Sequence, residues 1–237
     1  ENKEVAEKTE TTVSEATPAG TIYNLEELSD FEYLFGNFYT MDKTTTISPQ
    51  DLNAEVLLSK DMSIDKEVDG PQILIYHTHS QEGFVDSVPG DNSTTIVGVG
   101  AYLAQLLEEK GYQVMHVTSV YDLVDGKLDR NEAYSKASEE ISAILAENPS
   151  IQSVIDLHRD GVKEGTHLVT EINGKPTARF MFFNGLSRTK KNGAIDYLYN
   201  PYIEDNLALT LQLKLMSEQY YPGLARNIYL RSLRYNL

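Results

Sequence analysis

Of the chain's five histidines, His77 and His79 directly follow an apolar run, Ile73-Leu74-Ile75-Tyr76, and His158 follows a second, Ser153-Val154-Ile155-Asp156-Leu157. Both runs read as buried strands. In open α/β sheets ligands bind outside the carboxyl ends of the strands, so two strands that each end in histidine can aim imidazoles into one crevice. Glu82, three residues after His79, adds a carboxylate. Two imidazoles and a carboxylate, with a fourth position open to water, are a common catalytic zinc set. Zinc held this way lowers the pKa of its water and polarises a substrate carbonyl, which is hydrolase chemistry.

Each residue alone has a plainer reading, because a strand-end histidine is more often a hydrogen-bonded polar residue. The matched placement of His79 and His158, with Glu82 and Asp160 near them, is what favours a site. His77 lies two residues before His79, on the same side of an extended strand. Either both reach the metal, or His77 stands behind it and orients a ligand or the substrate. Asp156 is a buried strand residue or an outer partner of the same kind. Arg159 pairs with Asp160 or takes a substrate carboxylate. His116, inside a strand pattern, and His167, opening a hairpin, read as structural. Ser80 lies close to the histidines but lacks the strand–elbow–helix context and flanking glycines of a serine nucleophile. Gly98-Val99-Gly100 sits inside a helical pattern and is no phosphate cradle.

The elements that must position these residues alternate. After the strand at 73–76, apolar residues Ile96, Val99, Leu103, Leu106 and Leu107 recur at helical spacing to Lys110, with Asn92 or Ser93 as cap and Gly111 as stop. A strand over 112–117 and a helix from Asn131 to Glu147 follow, the latter stopped by Asn148-Pro149. The strand leading into His158 comes next. This rhythm predicts an α/β fold: a mostly parallel sheet with helices on both faces and right-handed crossovers. Asn173-Gly174 between 166–172 and 175–183 marks an inserted β-hairpin. A helix from Pro201 to Tyr220 should turn Leu207, Leu211, Leu215 and Met216 inward, before a last strand at 227–231. Residues 1–20, with five glutamates and few apolar groups, read as a disordered acidic linker. Residues 21–68, with a short helical stretch from Ser48 to Leu58, read as an N-terminal extension packing on the main domain, 69–237.

The bulk composition narrows the partners. The chain has 237 residues and a net charge of −16, so it repels phosphate backbones and nucleic acid is excluded as a partner. It has no cysteine, which rules out disulfides and thiolate zinc sites. No signal peptide is visible and no apolar run approaches the ~20 residues that span a bilayer. The abrupt ends, Glu1 without Met and Arg234-Tyr235-Asn236-Leu237, suggest a piece of a longer protein.

The two histidine stretches, Ile73-Leu74-Ile75-Tyr76-His77-Thr78-His79-Ser80-Gln81-Glu82 and Val154-Ile155-Asp156-Leu157-His158-Arg159-Asp160, resemble hallmark stretches of the stage II sporulation protein P family. Phe180-Met181-Phe182-Phe183-Asn184-Gly185, Tyr221-Pro222-Gly223-Leu224-Ala225-Arg226 and Arg234-Tyr235-Asn236 match in the same order, so the resemblance runs from about 40 to 237. It implies a cell-wall hydrolase with the fold of zinc N-acetylmuramoyl-L-alanine amidases. Such an enzyme cuts the amide between N-acetylmuramic acid and L-alanine and, as an endopeptidase, stem-peptide cross-links. It implies membrane anchoring, an extracytoplasmic site at the sporulation septum, and stage II sporulation proteins D and M as partners. His79 and His158 take the places of the amidases' zinc histidines. The place of their zinc glutamate holds Asn92 and Ser93, so Glu82 is the substitute and Asp91 the fallback. The family's general acid/base glutamate is expected beyond Leu237, in a strand before which this chain is truncated, and the chain as given should therefore bind metal with little turnover. The alternative is an inactive wall-binding or scaffolding module at the septum.

Overall fold

The computed structural model describes residues 17–130 and 132–233, so the expected linker up to residue 16, Asn131 and the Arg234-Tyr235-Asn236 stretch lie outside the described residues. In chain order the elements are α1 (Leu25–Ser29), α2 (Phe31–Phe38), β1 (Tyr39–Met41), α3 (Ala54–Ser59), β2 (Ile73–Tyr76), α4 (Ile96–Glu109), β3 (Val114–His116), β4 (Leu123–Val124), β5 (Lys127–Leu128), α5 (Ala133–Glu147) and β6 (Ser153–Asp156). They continue with β7 (Val169–Ile172), β8 (Lys175–Ala178), β9 (Phe183–Gly185), β10 (Arg188–Thr189), β11 (Gly193–Ala194), α6 (Ile203–Tyr220) and β12 (Ile228–Arg231). Among the described residues no helix is long and apolar enough to cross a membrane.

The fold class is the expected one, α/β with parallel sheets. Strand β2 lies between β3 and β6 and pairs parallel with both, Ile75 standing opposite His116 on one side and Ile155 on the other. Four consecutive apolar residues suit it, since its two faces are both covered. Ile73 and Ile75 pack with Ala104, Leu103 and Leu107 of α4. Leu74 and Tyr76 pack with Ala133, Ala137 and Ile141 of α5. The chain steps from β2 through α4 to β3 on one flank, then through α5 to β6 on the other. The strand order therefore reverses between β2 and β6, the place at which open α/β sheets bind ligands at their carboxyl ends.

A second parallel sheet, β1–β12–β9, covers another core with α6. Leu28, Leu34, Phe38, Leu52 and Leu57 from the first 60 residues meet Leu207, Leu211, Ile228 and Leu230 in that core. Residues 21–68 thus supply a strand and three helices to it, and the expected helix from Ser48 forms only over Ala54–Ser59, capped by Asn53. Residues Ala19 and Gly20, expected in the linker, donate their amides to Gln219 O at the end of α6. The α6 pattern departs from expectation at its C-terminal end: Met216 is exposed, and Lys214 is buried instead. Its ammonium is paired with Glu218 and donates to Ala225 O at 2.7 Å, which satisfies the charge from within the fold. The hairpin β7–β8 forms around Asn173 and Gly174 at φ 52° and 76°, the paired left-handed conformations of a type I′ turn.

Candidate functional site

The segment leaving β2 is pinned from both sides. Thr78 donates its amide to Asp156 Oδ1 at 2.9 Å and its hydroxyl to Asp156 Oδ2 at 2.6 Å, tying it to the end of β6. Across from this, Ser80 Oγ donates to the buried Asp122 at 3.2 Å. Glu82 closes the segment, its carbonyl accepting from Ile96 N at the start of α4 at 3.0 Å. Residues 77–80 and 82 are all buried, so the segment is rigid scaffold rather than a surface loop.

That scaffold brings His79, Glu82 and His158 together. The His79 and His158 rings meet edge to face at 5.2 Å, and His79 meets Tyr134 of α5 at the same distance. His79 Nδ1 is buried with no hydrogen-bond partner. His158 Nε2 donates to Asp156 Oδ2 at 2.9 Å, which leaves Nδ1 facing Glu82 Oε2 at 3.8 Å, beyond hydrogen-bond reach. Glu82 Oε2 also accepts from Arg159 N at 2.7 Å, and Arg130 lies 3.8 Å from Oε1.

The electrostatics suit a cation. Burial lowers the His79 pKa and the neighbouring His158 lowers it further, so His79 is neutral with a lone pair to give. Burial pushes the Glu82 carboxyl up, but His158 and the Arg159 amide outweigh it and hold Glu82 ionised. Burial opposes charge on His158 too, yet the Asp156 and Glu82 carboxylates raise it to about 9. A proton thus sits where a metal ion would be shared. Among the described residues no set of three or more His, Asp or Glu already meets the geometry of a metal site. The donor chemistry nonetheless fits zinc: an orphaned buried imidazole nitrogen, a carboxylate, and a second imidazole whose far nitrogen is held by an outer carboxylate.

A folded pKa near 9, above the ordinary 6.5, gives stability that is full below pH 6.5 and lost as pH rises through 9. Chelator-treated protein should accordingly lose up to about 3 kcal/mol over that window, seen as a falling urea midpoint. His158→Gln should flatten the difference; an identical slope in that variant would contradict the assignment.

The remaining candidates fall elsewhere. His77 is fully buried, donating from Nδ1 to Leu157 O at 2.9 Å and accepting at Nε2 from His116 Nε2 at 2.9 Å. The carbonyl can only accept, which fixes these tautomers. Both nitrogens are engaged within the fold, so His77 ties the end of β2 to β3 and to the segment after β6. Gly100 of α4 packs on this pair: a Cβ there would meet His77 Nε2 at 2.6 Å and His116 Nε2 at 2.8 Å. Gly100→Ala should therefore cost about 1–3 kcal/mol, despite alanine's better helix propensity; an unchanged urea midpoint would contradict this. Arg159 does not pair with the Asp160 side chain. Its Nε donates to Gly83 O, while Asp160 pairs with Arg226 at 2.9 Å. Asp91 is exposed and accepts from Ser93 N, whereas Glu82 is buried and faces His158 Nδ1. Ser80 is bonded to Asp122 rather than to an imidazole. His167 is exposed on the way to β7. Asp122, Tyr134 and Arg130 were missed in the sequence because each arrives from the connection before α5 or from that helix itself, at no telling spacing from a histidine.

The sequence profile of the family described as stage II sporulation protein P matches residues 1–237. Stage II sporulation protein P of Bacillus subtilis (strain 168) is 27% identical over 187 residues, covering 75% of this chain and 42% of that protein. The chain thus spans under half the length of the curated relative it matches. No solved structure matches it.

Proposed function

The chain belongs to the stage II sporulation protein P family, and from that premise we propose that it is the metal-binding part of a zinc-dependent peptidoglycan hydrolase acting in sporulation. Its reaction is hydrolysis of the N-acetylmuramoyl-L-alanine amide and of stem-peptide cross-links. The carrying observation is the convergence of His79, Glu82 and His158 at the carboxyl edge between β2 and β6. His79 offers Nδ1, Glu82 a carboxylate oxygen, and His158 Nδ1, with Asp156 holding its tautomer and Tyr134 walling the imidazoles. When bound there, zinc supplies an activated water at neutral pH and polarises the scissile carbonyl. The working place is outside the membrane at the sporulation septum, with the full-length protein anchored and stage II sporulation proteins D and M as partners; the family premise supports this.

The reading is tested on purified peptidoglycan with the full-length protein. Expected products carry new alanine amino termini, their release stopping with chelator and returning with zinc. Wall binding without cleavage, with or without zinc, would instead establish the scaffolding module.

A further inference from the structure

Asp160 lies two residues beyond His158, so their Cα atoms are at most about 7 Å apart. It forms one lip of a cavity of about 190 Å³ lined by Thr40, Asp160, Met181, Arg226, Asn227 and Tyr229. Thr40 of β1 and Tyr229 of β12 are register partners, so the floor is the face of the second sheet turned away from its core. The lining offers a hydroxyl, an amide, an aromatic ring and a thioether, a mixture suited to a peptide.

The charged pair decides which peptide. Arg226 Nη1 donates to Asp160 Oδ2 at 2.9 Å, with the two side chains 29% and 44% exposed. Ion pairs this open contribute little to stability, so opening it costs little. Guanidinium matches carboxylates in two-point contact and keeps its charge at all working pH values. Neighbouring cations are engaged differently: Arg130 faces Glu82, Arg159 Nε is held by Gly83 O, and Arg231 lies over the Tyr229 ring beside Asp42. In a chain of net charge −16, an anionic substrate group needs a local cation to approach.

We propose that this cleft is the subsite for a free carboxylate on the substrate's peptide, taken by Arg226 in place of Asp160, which is its internal stand-in. The proposal rests on the peptidoglycan reading and adds which substrate group is recognised, and where.

The test is binding to the chelator-treated protein, so that cleavage plays no part. The probes are an N-acetylmuramoyl tripeptide with a free C-terminal carboxylate and the same compound as its C-terminal amide. The acid should bind roughly 10–100-fold tighter, the worth of a charge-assisted hydrogen-bonded contact. Arg226→Gln should abolish that preference, and Arg226→Lys should restore part of it. Asp160→Asn, at an exposed position, should tighten the acid alone. Equal binding of acid and amide by the unaltered protein, or an acid left unaffected by Asp160→Asn, would overturn the subsite only. Failure of both probes to bind would overturn it together with the peptidoglycan reading.

Discussion

His158→Ala should reduce zinc from about one equivalent to background and lower wall hydrolysis by more than the roughly 100-fold that loss of an outer partner costs. His158 is the centre of the charge arrangement, lying between Asp156 at 2.9 Å and Glu82 at 3.8 Å. Its removal deletes one of the proposed zinc donors and leaves two carboxylates without the imidazole between them, so the metal-free fold should weaken as well. His79→Ala should lose the metal equally but weaken the metal-free fold only by the lost packing of its ring on Tyr134 and His158, because Nδ1 has no hydrogen bond to lose and the carboxylates keep their His158 partner. The contrast separates ligand loss from unfolding. It is read by metal analysis and urea denaturation on the same samples. Full zinc occupancy in either folded variant would remove that histidine from the site.

Asp156→Ala should have the second-largest effect, and through another mechanism. Its carboxylate accepts from Thr78 N, Thr78 Oγ1 and His158 Nε2, so one side chain both anchors the segment after β2 and aims His158. Breaking a largely buried pair of this kind costs about 3–5 kcal/mol, and zinc affinity should fall about 10–100-fold. Asp156→Asn should let the His158 pKa fall from about 9 toward its ordinary value. The metal-free protein would then lose most of its stability change between pH 6.5 and 9. Thr78→Val removes only the hydroxyl's half of the anchor and leaves the Asp156–His158 contact, so it should leave that pH dependence in place. If Asp156→Asn kept the unaltered protein's pH profile, Asp156 would be a structural residue with no positioning role.

The half of the fold that carries the histidines was legible because its signals are local. Strand β2 is an uninterrupted apolar run, α4 repeats at 3.6, and Asn173-Gly174 specifies its own turn. The second sheet was legible only in part: its strand β12 was read at 227–231, but its partner β1 lies nearly 190 residues away and has no distinctive pattern of its own. The burial of Lys214 was hidden for a related reason: its charge is met by Glu218 and by Ala225 O after the helix ends. Period alone placed Met216 inside.

At the site, strand-end placement singled out His79 and His158, and nearness singled out Glu82, three residues that the fold brings close together. Period-two reasoning put His77 beside His79, but β2 ends at Tyr76 and the segment turns after it. His77 consequently joins a buried pair with His116 instead. The Asp160–Arg226 pair joins residues 66 positions apart, a contact no short motif can encode.

The most direct measurement is X-ray absorption at the zinc edge of the zinc-loaded protein, with its His79→Ala and His158→Ala variants alongside. Two imidazole nitrogens at ~2.0–2.1 Å and oxygen ligands at ~2.0–2.2 Å are expected, with the signal lost in both variants. A zinc environment without imidazole, or one unchanged by either substitution, would contradict the proposed site.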